Sequence, residues 1–363
     1  MTSKANVFEF TSYKFEPKKK RAVFNYKTRF NNGTSISFSE IIILPQIPNK
    51  IDEDLLKKFL ESLHIMLGIS YYKCYCPETI GLPHKLSKKE AEFWNIVYKN
   101  GLGEFFYKNN LDPKISPKFP FIKNAKTTTY LLPTANPKIL VGIGGGKDSI
   151  VAIELLKESK LNITGFLVKT NENAEIQDRV AKTAKINTLK IKRILDRKIF
   201  KKHQYSGHVP ISAIYGFLGT FAAAIYGHSY VVVANEYSSN FGNIKYKGLA
   251  INHQWSKSFE FEKLFQEYLN NSITPDIKYF SLLRKFYEIR IAKLFSNYKK
   301  YFPVFSSCNK NFKKFAEHQG LWCNSCPKCV FTFILLSAFL NKRELISIFK
   351  ENLYEKQDLL PLF

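Results

Sequence analysis

The chain has 363 residues, 45% of them hydrophobic, with a formal charge of +25. That length allows two domains and a sizeable core, and the apolar content excludes a disordered chain. The charge invites a nucleic-acid reading, but the lysines are scattered, with one short run at Lys18 to Arg21, so most of it reads as solvated surface.

The opening "MTSKANVFEFTSYKFEPKKK" has no apolar h-region. No cleavable signal peptide is therefore expected, and the protein is expected to be cytoplasmic. Strand-like pieces follow in "NVFEFTSYKFE", "RAVFNYKTRF" and "SISFSEIIIL", then an amphipathic helix around Asp52 to Leu67. "KEAEFWNIVYKNGLGEFFYKN" reads as helical with a break at Gly101 to Gly103. Cys74 and Cys76 form a C-x-C pair, and two buried thiols are the expected state rather than a metal site. The chain divides near Ala135, giving an N-terminal α+β module over 1–134 and a second domain over 135–363.

The second domain opens with "KILVGI" (Lys138 to Ile143), a short unalternating run that reads as a strand buried on both faces. Helical spacing begins at Ser149, with Ile150, Val151, Ile153, Leu155 and Leu156 apolar. The glycines between them fill a strand-to-helix turn. Glycine there allows positive φ and close approach of a ligand, and the new helix offers free N–H groups and a positive dipole end. This is an anion site. A Walker loop, G-x-x-x-x-G-K-[ST], fits Gly146 and Lys147 but fails at Val141 and Asp148; the dinucleotide pattern G-x-G-x-x-G fails at Lys147.

Strands and helices then alternate: "NITGFLVKT" (Asn162 to Thr170), "AEIQDRVAKTAKI", "NTLKIKRIL", a buried helix in Val209 to Gly227, and "SYVVVANEYS" (Ser229 to Ser238). The Val209 to Gly227 stretch is just long enough to suggest a membrane span, but it is rich in small residues and runs directly into a strand. A helix packed closely under a sheet, with no membrane partner, accounts for it better. The alternation implies an α/β fold with a parallel sheet covered on both faces. Ligands bind outside the carboxyl ends of such strands. Three segments fall there: the glycine loop, Lys169-Thr170-Asn171 and "ANEYSSNFGN". Asn235 and Glu236 are thus placed to meet substrate or a metal-bound phosphate. His253, Gln254 and Lys257 precede the next helix, and His253 is a candidate general base or phosphate ligand.

Cys308, Cys323, Cys326 and Cys329 form C-x14-C-x2-C-x2-C. Without a secretion signal disulfides are not expected, and four thiolates so spaced can close a structural zinc site. An iron–sulfur cluster or reactive thiols are the alternatives. "VFTFILLSAFL" behind them reads as a core helix.

The order Gly144-Gly145-Gly146-Lys147-Asp148-Ser149 resembles S-G-G-x-D-S, the pyrophosphate loop of the N-type ATP pyrophosphatases or PP-loop enzymes, with Gly144 replacing the leading serine. The resemblance implies a doubly wound parallel sheet, and cleavage of ATP to AMP and pyrophosphate. The PP-loop with a four-cysteine C-terminus is similar to 7-cyano-7-deazaguanine synthase. "GHVPISAIYGFLGTFAAAIYG", "VVVANEYSSNFGN", "NHQWSKSFEFE" and "WCNSCPKCVF", in that order, resemble instead the MurL family of ATP-dependent UDP-N-acetylmuramoyl-L-alanyl-L-glutamate epimerases, from about Lys138 to Leu340.

That resemblance implies a UDP-activated muramoyl dipeptide as substrate, with ATP and Mg²⁺ as cofactors. Adenylating the terminal glutamate carboxylate makes its α-proton acidic enough for a modest base. Gly144, Gly145, Gly146 and Ser149 would cradle the leaving pyrophosphate, Lys147 offset its charge and Asp148 hold Mg²⁺. Asn235, Glu236, His253 and Lys257 are the candidates for substrate contact and proton transfer, and a cysteine could serve as a base instead of a metal ligand. The alternative is an enzyme acting on nucleotides or tRNA, with the +25 charge as its docking surface.

Overall fold

The computed structural model describes residues 4–48, 52–125, 127–132, 137–170, 175–242, 244–312 and 320–363. The expected boundary near Ala135, and Asn171 and Asn243, lie outside the described residues. By its own contacts the chain forms two interleaved units. Unit 1 takes residues 1–137, 190–231 and 239–280, and unit 2 takes 138–189, 232–238 and 281–363.

Unit 1 begins with three long strands, β1 (Ala5–Glu16), β2 (Arg21–Phe30) and β3 (Ser35–Ile43). β1 pairs antiparallel with β2 and β2 with β3. Their alternation of buried and exposed residues follows from the period of two, which puts Phe8, Phe10, Phe24 and Tyr26 on one face. Helix α1 (Glu53–Tyr72) starts at Asp52, whose carboxylate accepts from the Leu55 N–H at 2.7 Å, an N-cap that satisfies an otherwise orphaned donor. α1 runs five residues beyond the expected end at Leu67. Gly68 lies within it, where a Cβ would stand 2.4 Å from Phe10 and 2.9 Å from Tyr26.

β4 (Thr79–Gly81) adds parallel to β1, and α2 (Lys88–Gly101) starts on a capping box of Ser87 and Glu90. The break expected at Gly101 to Gly103 is real, since α3 (Gly103–Lys108) follows as a separate helix.

Unit 2 opens with β5 (Lys138–Gly142), the glycine loop and α4 (Lys147–Lys157), then β6 (Asn162–Lys169) and α5 (Glu175–Ala184). β5 and β6 are parallel, with Lys138 opposite Asn162 and Gly142 opposite Phe166. Leu140 and Val141 are fully buried, as a strand covered on both faces requires. β7 (Asn187–Ile194) has residues in both units. Its Lys192–Ile194 end pairs antiparallel with Ile41–Ile43 of β3, a pairing the sequence reading lacked.

Back in unit 1, α6 (Ile211–Tyr226) is the expected buried helix. No helix among the described residues is long and apolar enough to cross a membrane. The small residues of α6 do admit close packing: a Cβ at Gly216 would lie 3.3 Å from Tyr279, and the rings of Phe217 and Phe265 pack tilted at 4.3 Å. β8 (Tyr230–Val233), the hairpin of β9 (Ile244–Tyr246) and β10 (Leu249–Ile251), α7 (Phe259–Ser272) and β11 (Lys278–Ser281) follow. Unit 2 closes with α8 (Glu288–Ser296), α9 (Pro327–Ser337) and α10 (Lys342–Phe349). The neighbour order is β11-β8-β5-β6-β7 through the parallel pair and β7-β3-β2-β1-β4 through the N-terminal strands. The fold is α/β.

Candidate active site

The glycine loop joins β5 to α4 at the carboxyl end of a buried strand. Gly145 has φ +89°, a conformation that side-chain-bearing residues rarely adopt, and a Cβ there would meet Ile176 at 2.8 Å. Gly146 is the N-cap of α4 and supplies no side-chain acceptor to the helix's first N–H groups. A helix start without a side-chain cap, behind a glycine turn, has the geometry that the sequence reading expected of an anion site. Ser149 does not reach outward: its hydroxyl donates to the Gly146 carbonyl at 3.0 Å.

Lys147 is 3% exposed. Its ammonium contacts Asp148 at 2.6 Å and Glu288, the first residue of α8. Burial alone would lower the lysine's pKa, but Asp148 and Glu288 outweigh it and hold the pKa above its ordinary value. Glu288 is pushed upward, first by burial and then by the Asp148 charge, against the pull of Lys147; Glu236 adds to the rise. More carboxylates than ammonium groups therefore converge here. An oxygen-rich, net acidic corner of this kind suits a hard divalent cation arriving with phosphates.

Asn235 and Glu236 follow β8 in unit 2, and their backbone is held in place. The Asn235 carbonyl accepts from the Ser281 hydroxyl at 2.6 Å, and the Glu236 carbonyl accepts from Arg284 at 3.2 Å. His253 and Lys257 belong to unit 1. There they bear on His208, whose pKa is lowered first by burial, with Lys73, His253 and Lys257 adding to the fall and Glu104 opposing it. The sequence candidates thus fall into two groups: Asn235 and Glu236 share unit 2 with the glycine loop, and His253 and Lys257 lie in unit 1. Glu288, Arg284 and His208 were missed, because each stands in no motif and is brought to its place only by folding.

The four cysteines gather in unit 2, with all four sulfur atoms within 4.8 Å of one another. Cys323 and Cys329 are 3.8 Å apart and Cys326 and Cys329 3.5 Å. Tetrahedral zinc at ~2.3 Å from each sulfur needs sulfurs about 3.8 Å apart, so the cluster fits that ion. Electrostatics agree. Burial raises Cys308, and burial with the charges of Cys308 and Cys326 raises Cys329, whereas hydrogen bonds from Ser325 overcome burial and hold Cys323 down to about 6. Four thiols this close resist joint ionisation unless a cation sits among them. Cys74 and Cys76, by contrast, are buried free thiols, and burial pushes Cys74 up to about 11.

Comparison with known proteins assigns the family. Residues 1–282 match the MurL N-terminal domain and residues 304–363 the MurL C-terminal domain. The chain belongs to the MurL family. Among its relatives, three bear the name UDP-N-acetyl-alpha-D-muramoyl-L-alanyl-L-glutamate epimerase. The one from Xanthomonas oryzae is 34% identical over 301 residues, 82% of this chain and 66% of that protein, just under two thirds of its length. Those from Micromonospora and Salinispora tropica are each 32% identical over 98% of this chain, covering 80% and 78% of their own lengths. A solved structure of a tRNA methyltransferase subunit from Methanocaldococcus jannaschii aligns over 44% of this chain and 76% of its own at 17% identity, with a TM-score of 0.27, too slight a likeness to carry an argument. By its MurL relatives the chain is an enzyme of the isomerase class.

Proposed function

We propose that the chain inverts the α-carbon of the terminal L-glutamate of UDP-N-acetylmuramoyl-L-alanyl-L-glutamate, converting ATP to AMP and pyrophosphate as it does so. The observation that carries this reading is the two-part MurL match, with relatives bearing that name over nearly the whole chain.

The chemistry calls for activation. An α-proton beside an ionised carboxylate is too weakly acidic for a side chain to remove near neutral pH. When a glutamate carboxylate oxygen attacks the α-phosphorus of ATP, the bond to pyrophosphate breaks and the carboxylate becomes an electron-withdrawing acyl adenylate. A base can then take the α-proton, and a proton returns on the opposite face. Water cleaves the anhydride to release AMP and the D-glutamyl product.

The residues present suit these needs. The uncapped start of α4 and the Gly145 turn would receive the pyrophosphate. Asp148 and Glu288 would hold Mg²⁺ beside Lys147, the ion supplying charge neutralisation when bound. In unit 1, His253 and Lys257 are a histidine and a cation close enough to His208 to perturb it; we assign them to substrate contact and proton transfer, with Asn235 and Glu236 as the candidates in unit 2. The four cysteines would hold zinc in a structural role, fastening the start of α9.

Incubation with ATP, Mg²⁺ and the L-Ala-L-Glu substrate, followed by chiral analysis of the glutamate, tests the proposal. D-glutamate with stoichiometric AMP is expected; unchanged L-glutamate would refute it.

A further inference from the structure

The glycine loop departs from the PP-loop pattern at Gly144, where a serine hydroxyl is missing, and a second segment of unit 2 brings hydroxyls to the same place. Residues 305–308 lie along the loop. Ser306 is fully buried and fully engaged: its N–H donates to the Gly145 carbonyl at 3.0 Å, and its hydroxyl donates to the Leu321 carbonyl and accepts from the Cys308 N–H and the Asn311 amide. Cys308, two residues on, is fixed in the cysteine cluster. Ser307 is therefore held from both sides.

Its hydroxyl stands 2.7 Å from where a Cβ on Gly146 would be, over the N-cap of α4. Ser307 is half-buried, and among the described residues its hydroxyl makes no hydrogen bond. Gly146 is thus bare because Ser307 occupies the space a side chain would fill. A Cβ on Gly144, by contrast, would meet nothing closer than the Ser149 hydroxyl at 4.0 Å.

We infer that the Ser307 hydroxyl donates to the bound pyrophosphate group in place of the serine absent at position 144. The inference rests on the nucleotide reading of the loop proposed above. It also gives the cysteine centre a second consequence, since the segment that ends in Cys308 carries a donor to the anion site.

Binding of Mg²⁺-pyrophosphate and of Mg²⁺ with α,β-methylene-ATP to the full chain, measured by calorimetry with metal content and melting temperature recorded, tests it. Ser307→Ala should weaken both ligands about tenfold, as loss of a hydrogen bond to a charged group does, with metal content and melting unchanged. Ser307→Thr should bind as the wild type does, and Gly144→Ser should restore affinity in the Ser307→Ala background. Wild-type protein that binds neither ligand would overturn this inference and the nucleotide reading together. Wild-type binding that Ser307→Ala leaves intact would overturn the inference alone. So would weakened binding that comes with metal loss or a lower melting temperature and is not restored by threonine or by Gly144→Ser, since Ser307 would then be only a surrogate cap for α4.

Discussion

Asp148 is the carboxylate of the Lys147 cluster that stands more open, with 36% of its side chain exposed against 19% for Glu288. It is the group of the two better placed to meet a cation arriving from solvent. Asp148→Asn should therefore lower AMP and pyrophosphate formation on the order of 100-fold or more, the scale lost when one preorganised electrostatic partner of a reacting centre is removed. Thermal melting should barely change, because the amide keeps the shape and Glu288 still holds Lys147. A pyrophosphate-release assay beside a melting curve checks both halves. A different single residue governs acid stability. His84 has both ring nitrogens buried without a partner among the described residues, and burial, helped by His64 and Lys58, lowers its pKa from 6.5 to about 3. The unfolded chain then binds the proton more readily, so this contribution is full above pH 6.5 and is lost as pH falls toward 3. His84→Leu should remove about 2 kcal/mol of the stability difference between pH 7 and pH 5, measured by urea unfolding at the two values.

At the scale of the element, the loop before α4 and the cysteines before α9 are both helix starts given over to something other than a side-chain cap. Gly145→Ala would force a side chain into φ +89° and against Ile176; the expected cost is about 1–3 kcal/mol, seen in denaturant unfolding, with loss of pyrophosphate binding. If the cluster holds zinc as proposed, Cys326→Ser should lose metal and melt at a lower temperature together, because an incomplete tetrahedral site forfeits folding free energy; metal analysis of wild type and variant purified without chelator decides it. Most elements were legible because their signals are local. Alternation marked β1 to β3, the unbroken "KILVG" marked β5, and Asp52 marked the start of α1. The signals that failed were those whose meaning is tertiary. The helix expected to end at Leu67 runs on through Gly68, whose bareness lets Phe10 and Tyr26 pack against α1. The β9–β10 hairpin escaped because its strands have three residues each, although Lys247 and Gly248, at φ +46° and +80°, carry the turn. Nothing local in "EIIIL" could announce that Ile41–Ile43 pairs with residues about 150 positions later.

For the whole molecule, the parts of the site that could be read from sequence were those contiguous along it, the glycine loop with Asp148 and the C-x2-C-x2-C cluster. Glu288 and Ser307 come to the loop by way of α8 and the Cys308 segment, and no spacing rule reaches that far. The two groups of candidates in different units make the order of chemical events the most informative quantity to measure. If activation at the nucleotide site precedes proton transfer, deuterium from solvent should enter the glutamate α-position only when ATP is present, and AMP should appear with it. α,β-Methylene-ATP, which cannot release pyrophosphate, should then support neither exchange nor inversion, since the carboxylate stays ionised and the α-proton stays out of reach of a side chain such as His253. Exchange without any nucleotide would mean direct two-base inversion and would return the cysteines to consideration as bases. The same assay repeated across a salt series separates the remaining alternative: an enzyme that docks RNA through its +25 charge should lose binding steeply with salt, whereas turnover of a small UDP-peptide should change little. Mass spectrometry of the recovered glutamate, with and without ATP and at two salt concentrations, reads both.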